Sequence, residues 1–102
     1  MPLPLIALIL MGAAALTVVV LAIVYYDEIV DWFQSRNDLK ESDKENVGVT
    51  VKTWMKEGNY KIVQGIFNKR TETLVDGRVM RTKEVDHKLD QVHGPNEIVV
   101  YE

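Results

Sequence analysis

The sequence lacks cysteine and every common catalytic signature. Without thiols, no disulfide can support the fold, and no thiolate can bind a metal or attack a substrate. A Gly-rich phosphate loop, a GxSxG elbow and an HExxH pair are also missing. The only serines, Ser35 and Ser42, lie in a polar segment that offers no fixed base. We therefore predict a protein that is not an enzyme and that holds neither a cofactor nor a metal.

Charged residues are absent from the first 26 positions. Leu3 to Tyr26 is a run of 24 uncharged residues, and Thr17 is its only polar side chain before the terminal tyrosines. A helix needs about 20 apolar residues to cross a bilayer core. The run is too long for a signal peptide and has no basic residue before it. The sequence therefore predicts a retained transmembrane anchor over residues 1–26, with the lipid bilayer as a partner.

Basic residues flank this run on one side only. Arg36, Lys40 and Lys44 follow it, and none precedes it. Because Lys and Arg favour the cytoplasmic side, this asymmetry predicts a single-pass protein with its N-terminus outside and its C-terminal domain in the cytoplasm.

Two sets of side chains are candidates for contacts of the run. Aromatic rings favour the headgroup region, and small residues allow helices to pack closely, although alanine is also simply common in membranes. The predicted membrane-interface residues are Tyr25, Tyr26, Trp32 and Phe33, and the predicted partner-contact stripe consists of Ala7, Ala14, Ala15 and Ala22.

Residues 27–45 are acidic, with seven carboxylates and three basic side chains. Ile29, Val30, Trp32 and Phe33 have spacings compatible with a helix that continues beyond the bilayer. Its apolar side would lie against either a partner or the headgroups. We predict a juxtamembrane helix that grades into a linker.

The remaining segment, residues 46–102, has the pattern of a small α+β domain. Alternation at residues 47–56 and a β-rich run at 60–67 predict one hairpin, and Asp76-Gly77 predicts a second. A helix should begin at Asp86 and end at Gly94-Pro95, before a last strand at 97–102. The expected fold class is α+β: an antiparallel sheet of about four to five strands in the order ββββαβ, with one short helix.

Few residues of this domain suggest chemistry. Asp86, Asp90 and His93 recur on one helical face, as metal ligands or as an ordinary solvated face, and no further cluster completes a metal shell. Trp54 is out of phase with the valines of its strand and is a candidate partner contact if it is exposed. Basic residues around the second hairpin are mixed with acidic ones, so we expect no nucleic-acid partner.

These observations favour a protein that acts by binding. The leading hypothesis is an accessory, assembly or stabilising subunit of a larger membrane complex, which contacts other membrane-protein subunits or itself. A small tethered sensor or regulatory domain is the alternative and would need a ligand cavity. A lysis or toxin-like protein that uses the span itself ranks third.

Overall fold

The computed structural model describes residues 4–101, so Leu3 and Glu102, the ends of two predicted segments, lie outside the described residues. Within that range, four helices and five strands follow one another. They are α1 (Leu5–Ala13), β1 (Val18–Val24), α2 (Tyr26–Ser35), α3 (Asn37–Ser42), β2 (Asn46–Met55), β3 (Asn59–Asn68), β4 (Thr73–Val85), α4 (His87–His93) and β5 (Ile98–Tyr101).

The five strands form one mixed sheet in the order β1-β4-β3-β2-β5. β1 is parallel to β4, and the other neighbours are antiparallel. The α+β class agrees with the sequence, but the expected purely antiparallel sheet is wrong. The parallel pair arises because the apolar run supplies β1, which joins the sheet beside a strand far along the chain.

The prediction of a transmembrane helix is also wrong, and so is the prediction of a single-pass membrane localisation that depended on it. No helix among residues 4–101 is long and apolar enough to cross a membrane, and α1 has only 9 residues. After Thr17 the run reads Val-Val-Val-Leu-Ala-Ile-Val. β-Branched side chains favour strands over helices, so the second half of the run pairs with β4 instead of extending α1.

Helices cover both faces of the sheet. On one face, Ile9 and Ala13 of α1 pack with buried valines of β2, β3 and β4. On the other, Ile29 of α2 and Leu89 of α4 pack with Val24 and residues of β3 and β4. The apolar run therefore contributes to both cores, which gives this small chain more buried surface than residues 46–102 alone could provide.

The first predicted hairpin is present, and the second is displaced. β2 and β3 pair along their whole length, from Asn46–Asn68 to Met55–Asn59. Asp76-Gly77 lies inside β4, opposite β3, rather than in a turn. The chain turns earlier, where Asn68 Oδ1 accepts hydrogen bonds from the backbone N–H groups of Arg70 and Thr71 at 3.0 and 2.9 Å. The turn that the Asn68 side chain stabilises therefore reverses the chain before Asp76-Gly77 is reached.

The last helix and strand lie where the sequence places them. Asp86 caps α4 by accepting a hydrogen bond from Lys88 N at 2.5 Å, and Gly94 follows the helix with a φ of 53°. β5 then pairs with residues 48–51 of β2. α2 and α4 thus cover the same face of the sheet, where Ile29 and Leu89 share one core, while β1 and β5 form the two edges of the sheet.

Candidate interaction surface

β1 is an edge strand with an unusual surface. Val18, Val19 and Val20 are 45, 48 and 79% exposed, and the strand carries no charged residue over its 7 positions. Its inner side pairs with β4, and no described residue hydrogen-bonds its outer side. A free, apolar edge offers its backbone N–H and C=O groups to another strand.

The opposite edge, β5, is a useful comparison. It has only 4 residues, and Glu97 directly precedes it. Short length and nearby charge are the usual means by which proteins protect an edge from pairing. β1 has neither, so β1 is the open edge of this sheet.

A cavity of about 500 Å³ adjoins the middle of β1. It lies on the α1 face of the sheet, beyond the part of β4 that α1 covers. α1 contacts the first half of β4, where Leu74 lies against Gly12, whereas residues 81–83 of β4 line the cavity. The cavity is lined by Val20, Leu21, Ala22, Asn59, Arg81, Thr82 and Lys83.

Three basic side chains gather on this open part of the face. Lys61 and Arg81 are directly opposite each other in the β3–β4 register, and Lys83 follows two residues after Arg81 on the same side of the strand. None of the three makes a hydrogen bond or ion pair with any described residue. Like charges directly opposite each other destabilise a sheet. We call Lys61, Arg81 and Lys83 the basic cluster.

Asn59 places a polar atom without a described hydrogen-bond partner in the cavity wall. Its Oδ1 is buried and has no hydrogen-bond partner among the described residues. Leaving a buried acceptor unsatisfied costs about 1–3 kcal/mol. Among the residues that the structure describes, the cavity therefore combines cations without an ion-pair partner, the unpaired amide oxygen of Asn59 and the apolar side chains of β1.

The structure separates the predicted alanine stripe. Ala7 is half-buried in α1, Ala14 and Ala15 are exposed in the turn after it, and Ala22 is exposed in β1. They cannot form one helical face because β1 is not a helix. Only Ala22 lies at the candidate surface, where its small side chain leaves the cavity open.

Trp54 is exposed, as its phase along β2 suggested. It is 59% exposed and packs edge-to-face on Tyr60, with ring centroids 4.8 Å apart. Trp54 is opposite Tyr60 in the β2–β3 pair, and Tyr60 is opposite Thr82 in the β3–β4 pair. Trp54 therefore lies on the sheet face that α2 covers, two strands from β4 and away from the cavity.

The four aromatic residues predicted for a membrane interface belong to α2 and its start. Tyr25 is 48% exposed, whereas Trp32 is buried under the Arg36 guanidinium, 3.9 Å from the ring centroid. Phe33 packs against Gly48 and Tyr101. Tyr26 N donates to Asp86 Oδ2 at 3.0 Å, which lowers the pKa of that carboxyl group. Most of this set holds α2 to the sheet.

The possible metal ligands of α4 are each engaged elsewhere. Asp86 caps the helix, Asp90 forms an ion pair with Lys52, and His93 Nε2 lies 2.9 Å from Thr50 Oγ1. Burial lowers the pKa of His93. Within residues 4–101, no three His, Cys, Asp or Glu side chains are arranged to hold a metal ion.

The sequence interpretation missed Asn59, Lys61 and the valines that begin β1. Lys61 is 20 positions from Arg81, so only the β3–β4 register brings the two cations together. The β-branched run at Val18–Val20 was a usable signal for a strand. Of the basic residues around the second predicted hairpin, Arg70 pairs with Asp43 and Arg78 donates a hydrogen bond to Gln64, whereas Arg81 and Lys83 lie at the cavity.

Comparisons with known proteins do not identify a relative. A scan against protein-family models, a search of curated proteins and a search of solved structures each found no match. The function is therefore argued from the surface itself.

Proposed function

We propose that this protein acts by binding another protein, and that the partner adds an extended strand to the free edge of β1. The observation that carries this proposal is the apolar, unprotected edge at Val18–Val20. Strand addition takes affinity from main-chain hydrogen bonds and specificity from alternate side chains. An accessory or stabilising subunit needs such a surface and no catalytic site.

The small size of the chain supports the same role. A domain of about 100 residues has limited stability, and a partner that binds only the folded state adds to it by mass action. Strand addition would also cover part of Val18, Val19 and Val20, which are otherwise exposed to water.

Site-specific photocrosslinking tests the proposal. A benzophenone amino acid replaces Val20 in β1, and the matched control carries it at Val100, a 41% exposed valine on the other edge of the sheet. Expressed in the native cells, the Val20 derivative should crosslink to a second protein, and the Val100 derivative should not. Hydrogen exchange of amides 18–24 should slow in the purified complex.

Two results would overturn the proposal. Equal crosslinking from both positions would show that β1 has no special role. Crosslinks from Val20 solely to other copies of the chain would identify self-association instead of a partner.

A further inference from the structure

We infer that the segment that pairs with β1 is acidic, with carboxylates that reach across β1 to the basic cluster. This inference rests on the proposed function and names the chemistry of the partner. Its structural basis is the juxtaposition of an open strand edge, a cavity and unpaired cations on one face of the sheet.

The geometry of the sheet makes this contact possible. Neighbouring strands lie about 4.8 Å apart, so an added strand lies about 10 Å from β4, with β1 between them. Val20 is opposite Arg81 in the register, and Ala22 lies two residues further on the same face. Because Ala22 is small, the long side chains of Arg81 and Lys83 can meet a glutamate of the added strand above it.

The charges favour an anionic group at this position. Lys61 faces Arg81 across the β3–β4 pair, and Lys83 is next to Arg81, without a carboxylate among the described residues to neutralise them. This local excess of positive charge stands in a chain whose formal net charge is −3. Carboxylates from a partner would remove the repulsion and form ion pairs in a partly enclosed cavity.

A second copy of the chain fits this surface poorly. Antiparallel pairing of two β1 strands about a twofold axis puts the same sheet face of both copies on one side. Both basic clusters would then flank the new seam, and each would repel the other. The acidic segments of the chain, around residues 27–45, are folded in α2 and α3 and do not supply an extended strand.

Synthetic peptides test the inference with the full chain. The probe is acetyl-Thr-Val-Glu-Val-Glu-Val-Thr-amide, whose two glutamates share one face of an extended strand, and its matched control carries glutamine at both positions. Isothermal titration calorimetry should show about tenfold tighter binding of the glutamate peptide at low salt, because two or three ion pairs of modest strength act together. A peptide with lysine at both positions should bind more weakly than either.

Variants of the protein locate the effect. Arg81→Gln and Lys83→Gln should reduce the preference for glutamate by about threefold each and leave binding of the glutamine peptide unchanged. Lys88→Gln is the matched control, because Lys88 is an exposed cation on α4 that does not line the cavity. It should preserve the full preference.

The outcomes separate the two proposals. If the glutamate and glutamine peptides bind equally and both slow exchange of amides 18–24, strand addition stands and the acidic partner is refuted. If neither peptide slows that exchange, strand addition at β1 fails. Tighter binding of a single-stranded oligonucleotide than of the glutamate peptide, abolished by Arg81→Gln, would assign the basic cluster to nucleic acid and overturn the inference.

Discussion

The packing of β1 against the sheet predicts a large difference between two valines of the same strand. Val24 is fully buried with Ile29, Ile62, Met80 and Leu89, whereas Val20 is 79% exposed. Substitution by alanine removes the same atoms at both sites. It also lowers strand propensity at both, a loss of up to about 1 kcal/mol. The difference between the two variants therefore isolates the burial.

The magnitude follows from the two methyl groups that Val24→Ala removes from the core. At about 0.8 kcal/mol for each group, plus a cavity contribution, their loss costs about 2–3 kcal/mol. Val20→Ala should cost less than about 1 kcal/mol. For a domain of this size, the expected gap between the variants corresponds to a difference in melting temperature of about 10 °C.

Urea denaturation followed by tryptophan fluorescence measures both variants, since Trp32 is buried under Arg36 and reports the loss of packing. The midpoint should fall much further for Val24→Ala, and the slope of the free energy of unfolding against urea should stay constant for both. Equal midpoints would refute the packing of β1 on this sheet, because a strand outside the core would give both valines the same surroundings.

Three further predictions concern the rest of the fold. Gly65→Ala should lower the free energy of unfolding by about 1–3 kcal/mol, since the new Cβ would lie 2.8 Å from the backbone oxygen of Asp76; an unchanged urea midpoint would contradict this. Burial lowers the pKa of His93 in the folded state, so the unfolded state binds the proton more readily. The free energy of unfolding should therefore fall as the pH drops below about 6.5, by at most about 1.4 kcal/mol per pH unit. His93→Gln should remove this slope in pH-dependent denaturation, and the exposed His87→Gln should keep it. Deletion of residues 98–102 should abolish the cooperative thermal transition, because it removes the strand that pairs with residues 48–51 of β2 and leaves that edge of the core uncovered. A transition with the full-length midpoint would count against this prediction.

The parts of the fold that were predictable are those with local signals. The β2–β3 hairpin follows from alternation on either side of a Gly58 turn, where φ is 86°. The start of α4 follows from a capping aspartate, Asp86, and its end from Gly94. In each case the residues that decide the structure are close together in the sequence, so propensity and hydrogen bonding agree.

The parts that were not predictable depend on distant partners. A charge-free run is compatible with a spanning helix or with a helix and a buried strand, and only the pairing of β1 with β4 decides between them. Asp76-Gly77 carries a strong turn signal but lies within β4 because the Asn68 turn comes first. The basic cluster likewise exists only through register, since Lys61 and Arg81 belong to different strands.

The charge distribution constrains how the proposed partner would bind. With a formal net charge of −3, the whole chain does not attract an acidic segment from a distance. The basic cluster would act at short range, through direct contacts with carboxylates beside Ala22. Recognition of the carboxylates should therefore slow dissociation of the complex more than it speeds association. The association rate depends on the long-range field of the whole chain, whereas the dissociation rate depends on the ion pairs formed at the contact. The apolar edge of β1 would give the complex most of its affinity, and the cluster would select which extended segment stays bound.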